Sequence, residues 1–547
     1  MPVLAKASVK ILEEEMAALK SERTTLDTLY DELRRKVMPT GEDFYSFQTK
    51  NIERHLGRDE YDSFPGWAAE QLANGIYTNL HPEDDQWFRL LPIGTPFQNL
   101  QRDEQEYLQA TAEVMYHHMA LSDSGFYTSL GQSEKELVTY GTNIVFAEKD
   151  LKRRSINYVP FSLAGCMIKA NNNGVIDTMY RRFRWTLRKI IQEWGEENLP
   201  ETIHNKLKQG REKALREEYD IVHTVKPRKD ISFPIRNISK TKPFVSIYWM
   251  SGECHGLSVG TFDQFPYHVG RWSMLPGYVY GNSPGINALL DIRSLNTMNR
   301  DMFSYSQMNL FPPLVMEDDG FIPPIEYVPG SMILKTPGAE DPKQLPTGGN
   351  PNITFEMMQQ KREQIANAFY IDFLLRERKK ARQTTFEVAD ERQEMLQQLG
   401  PIFANYKKEF LTRLVQTTYN YLDAMGQLPE LPPSFRNTRF KVSYQGRAAQ
   451  AQLAIKADNM TRFVQDLVPL LQIDQNILRA VKFDEVAEQF AVYRDIDMKV
   501  LKSQAEIQLE LQQEQAQQAL QQTVDVAAPA ASAAKDIATA QSTLSQI

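Results

Sequence analysis

Five cations crowd into the ten residues from Leu374 to Gln383: Arg376, Arg378, Lys379, Lys380 and Arg382, against one acid, Glu377. Side chains of this type grip phosphate oxygens without reading bases, and such binding weakens steeply with salt. On a single copy the run reads first as a solvated connection between two helices. Repeated by symmetry around a ring, it would form a positive collar. A second pattern, Gly256-Leu-Ser-Val-Gly260, matches the G-x-S-x-G of a nucleophile elbow, which would present Ser258 for acyl transfer.

That elbow needs a strand entering and a helix leaving. A strand pattern precedes it, Phe244 to Met250, but the residues after it carry Pro266 and strand-like spacing. Catalysis by Ser258 therefore stands as the alternative rather than the main reading. His117 and His118 are neighbours on a helical pattern, so they point to different sides and do not readily share a metal. There is no P-loop, no H-E-x-x-H and no C-x-x-C, and the eight histidines form no spaced ligand set. No catalytic residue, cofactor or metal is assigned.

The elements that must position these residues follow from length and pattern. A chain of 547 residues exceeds what one core serves, so several domains are expected. The net charge of −8 argues against a surface coated for nucleic acid, while leaving room for a local basic site. Two cysteines, Cys166 and Cys254, give no disulfide framework and fit a reducing compartment. The N-terminus lacks a secretory apolar region, and no run approaches the roughly 20 apolar residues of a membrane span. A protein made and used in a cytoplasm, without a membrane, is the expectation.

Residues 5–37 read as a charged amphipathic helix ending before Pro39, and 65–80 as a second helix. Trp87 to Leu91 reads as a strand, then 100–120 and 126–140 as helices. Strand patterns follow from Asn143 through Phe161, from Gly174 to Trp185, from Tyr219 to Val225, from Phe244 to Met250 and from Phe265 to Trp272. Leu187 to Trp194 is a short helix. Ser283 and Pro284 open a long helical pattern, a cap followed by a proline whose missing N–H costs nothing in the first turn. It stops at Pro312-Pro313. Residues 311–352 hold nine prolines, yet are too apolar for a disordered linker, so a small β-rich tip fits. A helix returns from Ile353 to about Phe373. Another runs from Thr384 to Met425, with a kink expected at Gly400-Pro401. A strand, Phe440 to Tyr444, precedes a helical stretch at 447–522. Nine of the 22 residues from Leu501 to Gln522 are Gln, which suits a helix packed on copies of itself, and the tail from Thr523 reads as disordered.

Several segments, in this order, resemble the head-to-tail connector (portal) family of short-tailed, podovirus-type bacteriophages. They are Leu72 to Leu90, Ser124-Gly-Phe-Tyr127, Tyr140-Gly-Thr-Asn143, Val159-Pro-Phe161, Gly174 to Thr186, Val222-His-Thr-Val-Lys-Pro-Arg228, Phe265-Pro-Tyr-His-Val-Gly-Arg-Trp272, and Tyr280-Gly-Asn-Ser-Pro284 through Leu295-Asn296. The resemblance implies an α+β, predominantly helical subunit of the portal fold that assembles into a ring of about twelve copies at one capsid vertex of the virion. It implies a wing of mixed helix and strand at 1–282, stem helices at 283–310 and 353–373, and a clip at 311–352. It further implies a tunnel loop at 374–383, a long kinked wing helix and return strand at 384–446, and a crown at 447–522. Residues 523–547 would be the disordered tail. The implied partners are double-stranded DNA in the channel, a terminase that supplies ATP hydrolysis, tail adaptor proteins at the clip, and capsid and scaffold proteins. Assembly would take place in the host cytoplasm. The five cations would then face DNA. A serine hydrolase using Ser258 and a helical scaffold that touches no DNA are the rival readings.

Overall fold

The computed structural model describes residues 4–45, 60–94, 100–235, 241–310, 351–371, 399–436, 438–444, 456–466 and 483–494, with short pieces at 314–315, 337–338, 343–344 and 512–513. It is a mixed helix-and-strand protein. Contacts divide it into two compact units, one made of Met1–Trp87 and Val114–Leu428, the other of Phe88–Glu113 and Pro429–Ile547.

In the first unit, helix α1 (Lys6–Val37) places Val9, Leu12 and Met16 on one buried stripe, and Arg34, Arg35 and Lys36 in its last turn, where cations offset the helix dipole. Arg23 anchors the middle of α1 from inside the protein. Its guanidinium pairs with Asp27 one turn on, at 2.6 Å. It also donates to the carbonyls of Leu163 (2.9 Å), Cys166 (2.5 Å) and Ala164 (3.0 Å). A buried cation is tolerated because its donors find acceptors. Helix α2 (Phe64–Leu80) and helix α3 (Phe126–Tyr140) follow.

Strands β1 (Thr142–Asp150), β2 (Ser155–Pro160), β3 (Cys166–Ala170) and β4 (Ile176–Thr186) lead into three short helices, α4 (Leu187–Trp194), α5 (Glu201–Gln209) and α6 (Arg211–Arg216). The pattern at 201–216 is too short and too charged for the sequence to have marked it. These helices bury Leu187, Ile190, Ile203 and Leu207 against Ile221, Met250 and Leu257 of the next strands. Strands β5 (Glu218–Pro227), β6 (Phe244–Met250) and β7 (His255–Phe262) complete an antiparallel five-stranded sheet ordered β3-β4-β5-β6-β7. Met167, Tyr180, Val222, Ile247 and Trp249 of this sheet share a core with the stripe of α1. Strand β8 (Tyr267–Arg271) pairs with β1, which also pairs with β2, in a three-stranded sheet.

The G-x-S-x-G pattern lies wholly inside β7. Ser258 is opposite Tyr248, and the ladder continues to Phe262 opposite Phe244. No strand-to-helix turn surrounds the serine, so the geometry of a nucleophile elbow is missing. Alternating Leu257 and Val259 between glycines reads as strand because one edge of the pattern is half-buried.

Helix α7 (Pro284–Leu310) and helix α8 (Pro351–Ala368) come next. Between them, Leu314-Val315 pairs antiparallel with Lys343-Gln344. The remainder of 311–350, apart from a turn at 337–338, lies outside the described residues. Residues 399–406 are helical, Pro401 included, and the arm before Leu399 that would define the expected kink at Gly400-Pro401 lies outside the described residues. The irregularity of the described helix comes after that proline, in a π-helical turn at Lys407–Leu411 that runs on into α9 (Thr412–Ala424). Residues 384–398 lie outside the described residues.

In the second unit, Phe88–Pro92 pairs antiparallel with Phe440–Tyr444. Tyr107, Phe435 and Phe440 cluster with ring centroids 5.3–6.4 Å apart. Within the stretch 447–522, residues 456–466 and Phe483–Arg494 are helical, and Arg494 reaches Asp458 at 2.8 Å. Nearly all of the Gln-rich segment, and the whole tail at 523–547, lie outside the described residues.

Candidate functional site: a helical hairpin and its base

Helix α7 begins where the sequence placed its start. Ser283 Oγ accepts from the Ile286 amide at 3.0 Å and donates to the Thr139 carbonyl at 2.7 Å, so one hydroxyl caps α7 and ties it to α3. The Gly281 amide donates to Thr142 Oγ1 at 3.0 Å. Gly285 sits so close to α3 that a Cβ there would stand 2.7 Å from the Thr139 carbonyl oxygen. Backbone therefore lies on backbone at the root of the hairpin, a fit that small residues permit and larger ones would prise apart.

Polar side chains hold the next turns. Asp62, almost buried, accepts from the Phe64 amide (2.8 Å), from Asn299 Nδ2 (2.6 Å) and from Arg362 Nη2 (2.9 Å). It thereby caps α2 and fastens both hairpin helices to it. The Tyr61 amide donates to Asn296 Oδ1 at 2.7 Å. Lys361 joins Asp291 across the hairpin at 2.7 Å. Arg293 forks onto Glu32 of α1 at 2.7 and 2.5 Å, and its hydrogen bonds hold the Glu32 carboxyl below its ordinary range.

Most of the apolar side chains divide by position, with Leu290, 71 % exposed near the root, as the exception. Ala288, Leu289, Ile292 and Leu295 in the first half of α7 are buried, as are Met358, Ile365 and Ala366 in α8. Beyond them the hairpin is bare. Phe303, Met308 and Leu310 of α7, with Ile353, Phe355 and Met357 of α8, are between 47 % and 70 % exposed. Single exposed apolar residues are ordinary, but these six, with Leu290, leave one hairpin with an unusual amount of exposed apolar surface.

Under the base lies a buried polar cluster. Glu134 of α3 meets His81 Nε2 at 2.5 Å and accepts from the Tyr406 hydroxyl at 3.4 Å, and burial raises its pKa. Glu136, two residues on and so on nearly the opposite side of α3, accepts from the Leu163 amide at 2.8 Å; burial pushes it up to about 7.

The residues singled out by sequence fare differently. Arg376, Arg378, Lys379, Lys380 and Arg382 lie outside the described residues. His117 and His118 stand 6.1 Å apart, edge to face, and burial holds His118 below its usual range. Among the described residues no group of His, Cys, Asp and Glu could hold a metal, and no helix is long and apolar enough to cross a membrane. Cys166 and Cys254 are both free thiols, Cys166 buried with its pKa pushed up to about 12. The Asp62 hub carried no sequence signal, because its partners lie 237 and 300 residues away.

A family model described as "Bacteriophage head to tail connecting protein" matches residues 9–501. The "Probable portal protein" of Bordetella phage BPP-1 is 26 % identical over 518 residues, 91 % of this chain and 90 % of that protein. The "Portal protein" of Salmonella phage epsilon15 is 24 % identical over 519 residues, 92 % and 91 % of the two chains.

Proposed function

The chain belongs to the family of bacteriophage head to tail connecting proteins, the portal family, and we propose that it works as a ring of about twelve copies at one vertex of the capsid. The ring is the channel through which a terminase drives double-stranded DNA, behind which DNA is held, and through which it leaves. Helices α7 and α8 are the stem, residues 311–352 the clip that receives tail adaptor proteins, and residues 447–522 the crown. Residues 1–282 and 384–446 form the wing, where capsid and scaffold proteins make contact. Arg376, Arg378, Lys379, Lys380 and Arg382 occupy a tunnel loop at 374–383 and face DNA. The work is mechanical rather than enzymatic, with no cofactor of its own.

The observation that carries this reading is the hairpin that is anchored at its root and bare toward its tip. A ring of copies covers such a surface on every subunit at once, because each hairpin lies between two neighbours. The net charge of −8 fits a conduit too, since a wall attractive along its whole length would trap the duplex. The test is assembly of a variant carrying Leu310→Ser and Phe355→Ser. Both side chains are exposed in the single chain, so the subunit should fold with unchanged helicity yet fail to form rings. Rings that form as readily as the wild type's would remove the stem as the contact surface.

A further inference from the structure

The last residue of β8, Arg271, has a side chain only 2 % exposed and is gripped from three directions. Its Nε donates to both carboxylate oxygens of Glu409 at 3.1 Å, and its Nη2 donates to Oε1 of the same group. Its Nη1 donates to the Val279 carbonyl at 3.1 Å, in the loop that leads into α7. Its Nη2 also reaches the Gly174 carbonyl at 2.8 Å, in the turn before β4. Its own carbonyl accepts from Asn405 Nδ2 at 3.0 Å.

Glu409 lies in the middle of the π-helical turn. Such turns are rare because they widen the helix, and they persist where surrounding contacts hold them open. Here contacts hold both flanks. On one side Tyr406 stacks on Phe410 with centroids 5.0 Å apart, donates to Glu134 and accepts from Asn143 Nδ2 at 3.4 Å. On the other side is the Arg271 fork. Release of that fork would let the turn narrow to the α register, a shift of one residue, about 100° and 1.5 Å, between the two flanks.

We propose that Arg271 is a positioning residue that couples the helix at 399–424 to the start of the hairpin. By holding Glu409 it fixes the wide turn of the helix that follows the basic run in sequence, and by holding Val279 it fixes the loop that feeds α7. The two segments then open and close as one unit. In the portal reading this links the DNA-facing side of the channel to the stem. The coupling itself rests on these contacts alone.

The test is hydrogen exchange on the full-length wild type and on Glu409→Gln, following the peptides at 399–424 and at 274–283. The hydrogen bonds of the Glu409 carboxylate go to Arg271 and not to the second segment, so a purely local role leaves that segment unmoved. Loss of the charged fork should speed exchange in both segments by about tenfold, and Arg271→Lys, which keeps the charge but not the fork, should do the same. Faster exchange at 399–424 with the loop unchanged would overturn the proposal. Should either variant fail to fold, exchange of the wild type in graded denaturant decides: the two segments should share one opening free energy, and separate values would overturn the coupling. Because exchange is read on each subunit, a chain that forms no ring would contradict the portal reading without touching this one.

Discussion

Gly141 and Gly281 cross with their peptides in contact. Gly141, in the left-handed region at φ +84°, ends α3, and a Cβ placed on it would stand 2.5 Å from the Gly281 carbonyl oxygen. A Cβ on Gly281 would strike the Gly141 carbonyl in turn. This crossing brings the end of α3 against the residues that lead into the cap of α7, so that close backbone contact joins the Ser283 hydroxyl in rooting the hairpin.

Gly281→Ala should therefore destabilise the protein by about 2–4 kcal/mol, since neither backbone can move without breaking the Ser283 and Thr142 hydrogen bonds. Gly131→Ala is the control. That glycine lies inside α3 with open space where its Cβ would go, and the change should be neutral or stabilising by up to about 1 kcal/mol. Denaturant midpoints of the two variants check the pair.

Asp62→Ala should cost about 2–4 kcal/mol, because it removes the cap of α2 and leaves Asn299 and Arg362 without their shared acceptor. Asp62→Asn should cost less, since an amide oxygen still caps. Thermal melts rank the two, and equal losses would mean that charge, not the cap, matters most.

His268 is buried, and burial, helped by Arg413, lowers its pKa to about 3. The unfolded chain takes up a proton there below pH 6.5 while the folded chain does not, so this histidine costs stability as pH falls from 6.5 toward 3. The slope is about 1.4 kcal/mol per pH unit for one group. Glu136, raised to about 7, has the opposite sign: the folded chain binds its proton first, so its contribution to stability falls as pH rises from 4.5 to 7. Comparing the wild type with His268→Asn cancels Glu136 and the other shared groups. The difference between them should shift in favour of the variant by that slope below pH 6.5, and a difference that does not change with pH would mean His268 is protonated in the folded protein.

Replacing Arg376, Arg378, Lys379, Lys380 and Arg382 together by Gln should leave assembly intact and lower the amount of DNA packaged or retained. The residual retention should respond less to salt than that of the wild type, because fewer counterions are released on binding. Packaging at the wild-type level would take these residues out of the channel.

What the sequence made legible was local. Ser283-Pro284 and the periodicity after them gave the start of α7 to the residue, and the strand pattern at Gly174–Phe183 falls on β4, although Thr178, Met179 and Tyr180 are buried in succession rather than in alternation. Of the β-rich tip read from prolines and apolar residues, the described residues include the pair at 314–315 and 343–344 and a turn at 337–338, and the rest lies outside them. Long-range polar contacts were not legible. Asp62, Arg23 and Arg271 look like surface charges in a string of letters, and only the fold brings their acceptors within reach. The π-helical turn was missed for a related reason, since Pro401 is a visible breaker while the contacts of Tyr406 and Glu409 that hold the turn open come from α3 and β8. The G-x-S-x-G pattern was judged by its flanks, because five residues carry no information about the turn that gives the motif its meaning, and the strand-like spacing after it agrees with the ladder that holds Ser258.

The most direct measurement is the native mass of the purified full-length chain, by light scattering with negative-stain images of the same peak. A closed ring of about twelve subunits with a central hole is the expected result. A monomer or dimer at every concentration would contradict it.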